Sequence, residues 1–139
     1  MPKFVKVAIG LITRQGHLLI CQRRMDGKSP LRWEFPGGKL ETGEDGRTCL
    51  KRELQEELGI RAKIGEQIHC TTHDYSDGFS FALTFFHVPS YEGELQNNVF
   101  QRITWACVGE ISSYPFLEGD REFITRLTSG DWSHLFSSA

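Results

Sequence analysis

The stretch 38–60 constrains this chain most, because it runs from a glycine-rich turn into a helix with two conflicting faces. At about 100° of rotation per residue, Leu50, Leu54 and Leu58 fall on one stripe suited to packing on a core. Glu53, Glu56 and Glu57 occupy the adjoining arc, while Lys51, Arg52 and Gln55 point elsewhere. Asp45 predicts the N-cap and Gly59 the C-cap. Like charges at i,i+4 cost a helix about 0.2–0.5 kcal/mol per pair, and the helix dipole also opposes anions near its C-terminal end. A charge run is ordinarily a solvated face. Here the acids border the apolar stripe, so they are expected to be partly sheltered and to demand a cation. Hard oxygen ligands on a rigid helix suit Mg²⁺, with Mn²⁺ as a substitute.

The flanking segments read as strands. Val5, Val7, Ile9 and Leu11 alternate with smaller or polar residues, which predicts a half-buried strand. Gln15-Gly16 reads as a turn and 17–24 as the returning strand. A polar loop over 25–32 would form a flap over a ligand. Trp33-Glu34-Phe35-Pro36-Gly37-Gly38 reads as a strand end entering a tight loop. One strand is expected over 61–75, a turn at Ser76-Asp77-Gly78, and further strands over 79–88 and 102–108. A short helical turn follows over 109–113, and a helix over 120–129 turns Phe123, Ile124 and Leu127 inward. This order indicates a layered α/β domain with a mixed sheet. The whole chain, 1–139, is expected to be one domain. Its tail, 131–139, is expected to be loosely ordered, with Trp132, Leu135 and Phe136 available to dock or to join a subunit contact.

A net charge of −2 argues against a broad basic surface for nucleic acid, and Arg23-Arg24 is the clearest local cation pair. Cys21, Cys49, Cys70 and Cys107 lack metal-ligand spacing and read as reduced thiols of a cytoplasmic protein. No signal peptide and no apolar run of membrane length is read in the sequence. His69 and His73 fall on a strand, where i and i+4 lie about 13 Å apart, too far to share a metal. A monomer or a homodimer is expected.

The stretch 38–60 also resembles the Nudix box, G-x5-E-x7-R-E-U-x-E-E-x-G-U with U aliphatic. Gly38, Glu44, Arg52, Glu53, Leu54, Glu56, Glu57, Gly59 and Ile60 fill every fixed position. The stretches 19–24, 33–38 and 114–120 are similar to the MutT-type branch of that family. The resemblance implies a Nudix α/β/α sandwich with a mixed sheet. It also implies a hydrolase that cleaves nucleoside triphosphates to monophosphate and pyrophosphate. Glu53, Glu56 and Glu57 would hold the divalent metal together with the Gly38 carbonyl. Arg52 would pair with Glu44 to brace the loop, and Glu53 would orient the attacking water. MutT-like relatives often carry a further glutamate before the last strand, whereas Gln96-Asn97-Asn98-Val99-Phe100 holds no acid. That departure leaves Glu53 as the favoured base, with an acid near Glu118 or Asp120 as the fallback.

Arg24 and Lys39 are candidates for phosphate contacts, and Phe35, Phe79 and Phe81 for base stacking. Asp120 matches a base-reading position of the MutT-like branch, unless it merely caps the last helix. An ionised carboxylate only accepts, which favours the N–H donors of guanine and hence (d)GTP. Two other readings keep the same fold. The 5′-triphosphate end of RNA is an alternative substrate for the same metal site. A non-catalytic nucleotide-binding module is the other, but such modules have eroded carboxylates and here all of them stand.

Overall fold

A long central strand organises the molecule, and the computed structural model describes it within residues 3–136. This strand, β1 (Lys3–Arg14), turns at Gln15-Gly16 into β2 (His17–Gln22), and both turn residues take positive φ, 50° and 80°. That geometry matches the twist of a two-residue hairpin. Then follow β3 (Trp33–Glu34), β4 (Gly37–Lys39) and helix α1 (Gly46–Leu58). The rest comprises β5 (Arg61–Lys63), β6 (Gln67–Asp74), β7 (Phe79–Val88), β8 (Ser90–Glu92), β9 (Arg102–Cys107) and helix α2 (Arg121–Thr128).

The main sheet runs β3-β2-β1-β7-β6, with β4 also along β1 and β9 along β2. Strands β1 and β7 are parallel from Lys3↔Phe79 to Ile12↔Val88, and the other pairs are antiparallel. Side-chain alternation therefore sorts the core into two halves. Ala8 and Ile12 meet Leu50, Leu54 and Leu58 of α1 on one face. Ile9, Leu11, Leu83 and Phe85 meet Phe123, Ile124 and Leu127 of α2 on the other. The result is the α/β/α sandwich with a mixed sheet that the motif implies.

Three details differ from the sequence reading. The inner half of β1 is buried on both faces, because a helix covers each side there. The single strand expected over 61–75 is two, since Gly65 leaves the sheet and donates its amide to the His87 carbonyl at 2.7 Å. The tail is not loose as far as Phe136. Trp132 is 7% exposed and packs in the α2 half of the core, and a 3₁₀ turn covers Ser133–Phe136. Residues 137–139 lie outside the described part.

Candidate active site

Helix α1 is fixed at both ends. Asp45 caps it by accepting the Thr48 amide at 2.8 Å, and Gly59 takes φ 69° while donating to the Gln55 carbonyl at 3.0 Å. The acid-free segment before β9 serves the same end. The amides of Gln96 and Asn98 donate to the Leu58 and Glu57 carbonyls at 2.8 and 3.0 Å. The Asn98 side chain adds a bond to the Glu56 carbonyl at 3.1 Å. Carbonyls that a helix end leaves open are thus answered.

On this helix Arg52 does not point away from the acids, as periodicity suggested. Its guanidinium grips Glu44 through two bonds of 2.8 Å and reaches Glu53 at 2.9 Å and Glu56 at 3.4 Å. It also donates to the Lys39 carbonyl at 3.3 Å, which ties β4 to the helix. The Arg52 bonds, and then the Glu41 amide, hold the Glu44 carboxyl down at about 2. Glu53 is raised by burial, an effect that Arg52 opposes. Glu57 receives no such relief. Burial first, then the charges of Glu53 and Glu34, push it up to about 9, and its one hydrogen bond comes from the Gly37 amide at 3.2 Å.

Gly38 fits this site by lacking a side chain, because a Cβ there would overlap the Glu53 carboxyl. Its carbonyl, the metal ligand that the resemblance implies, lies against helix α1 beside Cys49. The flanking bonds, Gly10 N to Pro36 O at 2.8 Å and Leu40 N to Lys6 O at 3.0 Å, make Ala8–Gly38 a hydrogen-bonded pair. The buried Cys49 thiol also donates to Gly38 O at 3.4 Å. The backbone amide that meets Glu57 belongs to Gly37.

A second polar group gathers where β3 meets the turn before α2. Glu34 on β3 pairs with Arg23 at 3.1 Å, and burial raises its carboxyl despite that pairing. Asp120 is 4% exposed, and burial followed by the charge of Glu34 pushes it up to about 8. Its side chain makes no cap bond to α2, so helix capping does not account for it. Phe81 and Phe79 are half-buried on the same sheet face, with Tyr75 edge-on to Phe81 at 5.3 Å. Lys39 is exposed and pairs with Val7 on that face.

Two candidates fall elsewhere. Phe35 is 3% exposed and packs on Phe116 and Phe123, so its ring belongs to the core and is closed to a base. Arg24 points outward, with 58% of its side chain exposed, beside Asp26. Of the fallback acids, Glu118 is exposed and Asp120 lies with Glu34 rather than with α1. Sequence reasoning did not single out Glu34 or Tyr75, and it named Arg23 only as half of the Arg23-Arg24 cation pair. Glu34 stood in the quoted Trp33–Gly38 stretch, and its lone charge among apolar neighbours was the available signal.

The donor set suits a hard divalent cation in charge, since Glu57 is a sheltered acid without a cationic partner. Its arrangement is unfinished. Among the described residues no three acidic, histidine or cysteine side chains converge on one point, and the Glu56 side chain is 59% exposed. Two cavities of about 580 and 300 Å³ lie away from these acids, the first beside Trp105 and Tyr91 and the second beside Lys6 and Phe86. Among the described residues no helix is long and apolar enough to cross a membrane.

An α/β/α sandwich with an arginine-braced acidic helix beside a glycine strand defines a phosphoanhydride hydrolase. The NUDIX domain family matches residues 2–127, and the chain belongs to that family as a MutT-like member. It is 37% identical to the CTP pyrophosphohydrolase of Escherichia coli over 85% of this chain and 87% of that one. It is also 37% identical to the 8-oxo-dGTP diphosphatase of Proteus vulgaris, over 67% of this chain and 83% of that one. The solution structure of the E. coli ORF135 protein superposes with a TM-score of 0.83 at 33% identity, covering 94% of this chain and 93% of that chain. The protein is a Nudix pyrophosphohydrolase acting on nucleotides.

Proposed function

We propose that the protein hydrolyses nucleoside triphosphates to monophosphate and pyrophosphate, with Glu53, Glu56 and Glu57 holding Mg²⁺ or Mn²⁺. One observation carries this reading: the sheltered Glu57 carboxyl, pushed up to about 9, is answered by an amide and, among the described residues, by no cation. When bound, the metal would neutralise phosphate charge and polarise the phosphoryl oxygens. The chain supplies the rest. Arg52 holds Glu53 toward the cleft, and Glu53, with its carboxyl raised by burial, takes the proton of the attacking water. Lys39 meets phosphate oxygens from the β1 face. The unbridged cysteines suit a reducing cytoplasm.

Base preference follows from the proton on Asp120. An ionised, purely accepting Asp120 would favour the N–H donors of guanine and hence (d)GTP. Burial and the charge of Glu34 push its carboxyl up to about 8, which favours the protonated, donating form at neutral pH. Glu34, paired with Arg23, accepts. A donor beside an acceptor matches the ring nitrogen and amino group of cytosine, and it also matches the O6 and N1–H of guanine. The protonated form therefore admits CTP-type nucleotides beside (d)GTP, and we rank CTP-type nucleotides first on the likeness to the E. coli relative. The test is a nucleotide panel, with triphosphate-ended RNA beside it, assayed with Mg²⁺ and with EDTA and analysed for pyrophosphate. CTP should lead below about pH 8 and lose ground above it. GTP leading at neutral pH would refute the base assignment, and turnover in EDTA would refute the metal site.

A further inference from the structure

We propose that Tyr75 is a positioning residue that sets base discrimination, by holding the turn that carries Asp120 against the sheet. The inference rests on Asp120 as the base-facing group. Tyr75 begins the β6–β7 hairpin, and that hairpin locks its backbone. Its amide donates to Phe79 O at 2.8 Å and its carbonyl accepts from Gly78 at 3.2 Å. The ring is wedged between His73, centroids 4.4 Å apart, and Phe81, 5.3 Å apart. Only the hydroxyl end is left to reach outward, and it meets Gly119, the residue before Asp120. A Cβ on Gly119 would lie 3.1 Å from the Tyr75 hydroxyl and 3.5 Å from Leu83 Cδ1, so a larger residue there would have to push the hydroxyl back by a few tenths of an ångström.

The Asp120 turn is otherwise held from the opposite side. Leu117 donates to the Trp33 carbonyl at 2.9 Å, next to Glu34, and Asp120 donates its amide to Leu117 O at 3.0 Å. The Asp120 carboxyl has no bond to its own helix that would fix it. Its distance from Glu34 is therefore set by two clamps, β3 on one side and Tyr75 on the other. The charged and titratable groups around it are Glu34 with its partner Arg23, Glu118 of the same turn, Tyr75 itself, and His73, which packs on Tyr75 and faces Gly119. Removing the hydroxyl slackens one clamp and lets the donor–acceptor spacing drift. Recognition of a base edge by buried polar groups is sensitive to such spacing.

The experiment compares kcat/KM for CTP and GTP across pH in the wild type, Tyr75→Phe, Gly119→Ala and Asp120→Asn, with thermal unfolding alongside. Tyr75→Phe should narrow the CTP:GTP ratio by about 3–10-fold and shift the pH at which that ratio changes. Gly119→Ala should do the same by pushing the hydroxyl away. A merely structural Tyr75 would lower the unfolding temperature and leave both the ratio and its pH profile in place, which overturns the proposal. If Asp120→Asn changes the ratio while Tyr75→Phe and Gly119→Ala do not, Tyr75 is excluded and the Asp120 reading stands. If Asp120→Asn also changes nothing, both fail. Should Gly119→Ala not fold, Tyr75→Phe alone decides, since it removes a single oxygen.

Discussion

Glu57 shows how one residue sets function against stability. Its folded-state carboxyl is raised, so the folded protein prefers it protonated. The cost is absent below the unfolded value of about 4.5 and grows as pH rises toward about 9. Without metal, Glu57→Gln should therefore stabilise the protein by about 1–3 kcal/mol near pH 8 and by little near pH 5, while removing nearly all hydrolysis. Denaturant unfolding of the two proteins in EDTA at both pH values checks this, and equal stability at pH 8 would show that Glu57 is not sheltered. The acids themselves were legible, because spacing alone puts them on one helical arc. The choice between Arg23 and Arg24 was not. Past the end of β2 the register is set by the returning loop, where Leu31 takes φ 62° and donates to the Arg23 carbonyl at 3.1 Å. Arg23→Ala should unpair Glu34 and lower kcat/KM for CTP about tenfold, whereas Arg24→Ala should leave it near wild type; steady-state kinetics separates the two.

At the scale of the element, α1 is a lever that needs both ends held. Its caps and apolar stripe were readable from the sequence, since Asp45, Gly59 and the three leucines act within the helix itself. The identity of what closes its last turn was not, because Gln96 and Asn98 come from a distant loop whose sequence merely lacks an acid. The same holds for the Gly38 carbonyl, which the pairing of β4 with β1 turns toward Cys49. Helix periodicity cannot report a ladder register. Asn98→Ala deletes the side-chain bond to Glu56 O and leaves the two backbone bonds. It should cost about 0.5–1.5 kcal/mol and speed amide exchange in the last turn of α1, read by hydrogen-exchange mass spectrometry or NMR. Unchanged exchange there would mean that the backbone bonds suffice.

Across the whole molecule the two core halves divide the labour, with α1 and its acids on one face and Asp120 at the start of α2 on the other. Strand alternation made the layers legible. The docked tail was legible only as one of two alternatives, because Trp132 is isolated among polar neighbours and finds its partners only through the fold. It stacks on Phe123 at 4.7 Å, and Phe123 stacks on Phe85 at 4.1 Å, so the tail ends a column of rings rooted in β7. Arg126 closes the column, 4.9 Å over the Trp132 ring and paired with Asp131 at 2.6 Å. Trp132→Ala empties one end of that column and should cost about 3–5 kcal/mol, as large-to-small core changes do. The loss should be felt unequally. Phe123 anchors α2, so KM for nucleotide should rise as Asp120 loses its support, while Mn²⁺ binding followed by electron paramagnetic resonance should hold, because α1 rests on the other half of the core. Wild-type stability in Trp132→Ala would return the tail to the loose segment that its sequence suggests, and parallel loss of Mn²⁺ binding would show that the two halves do not act separately.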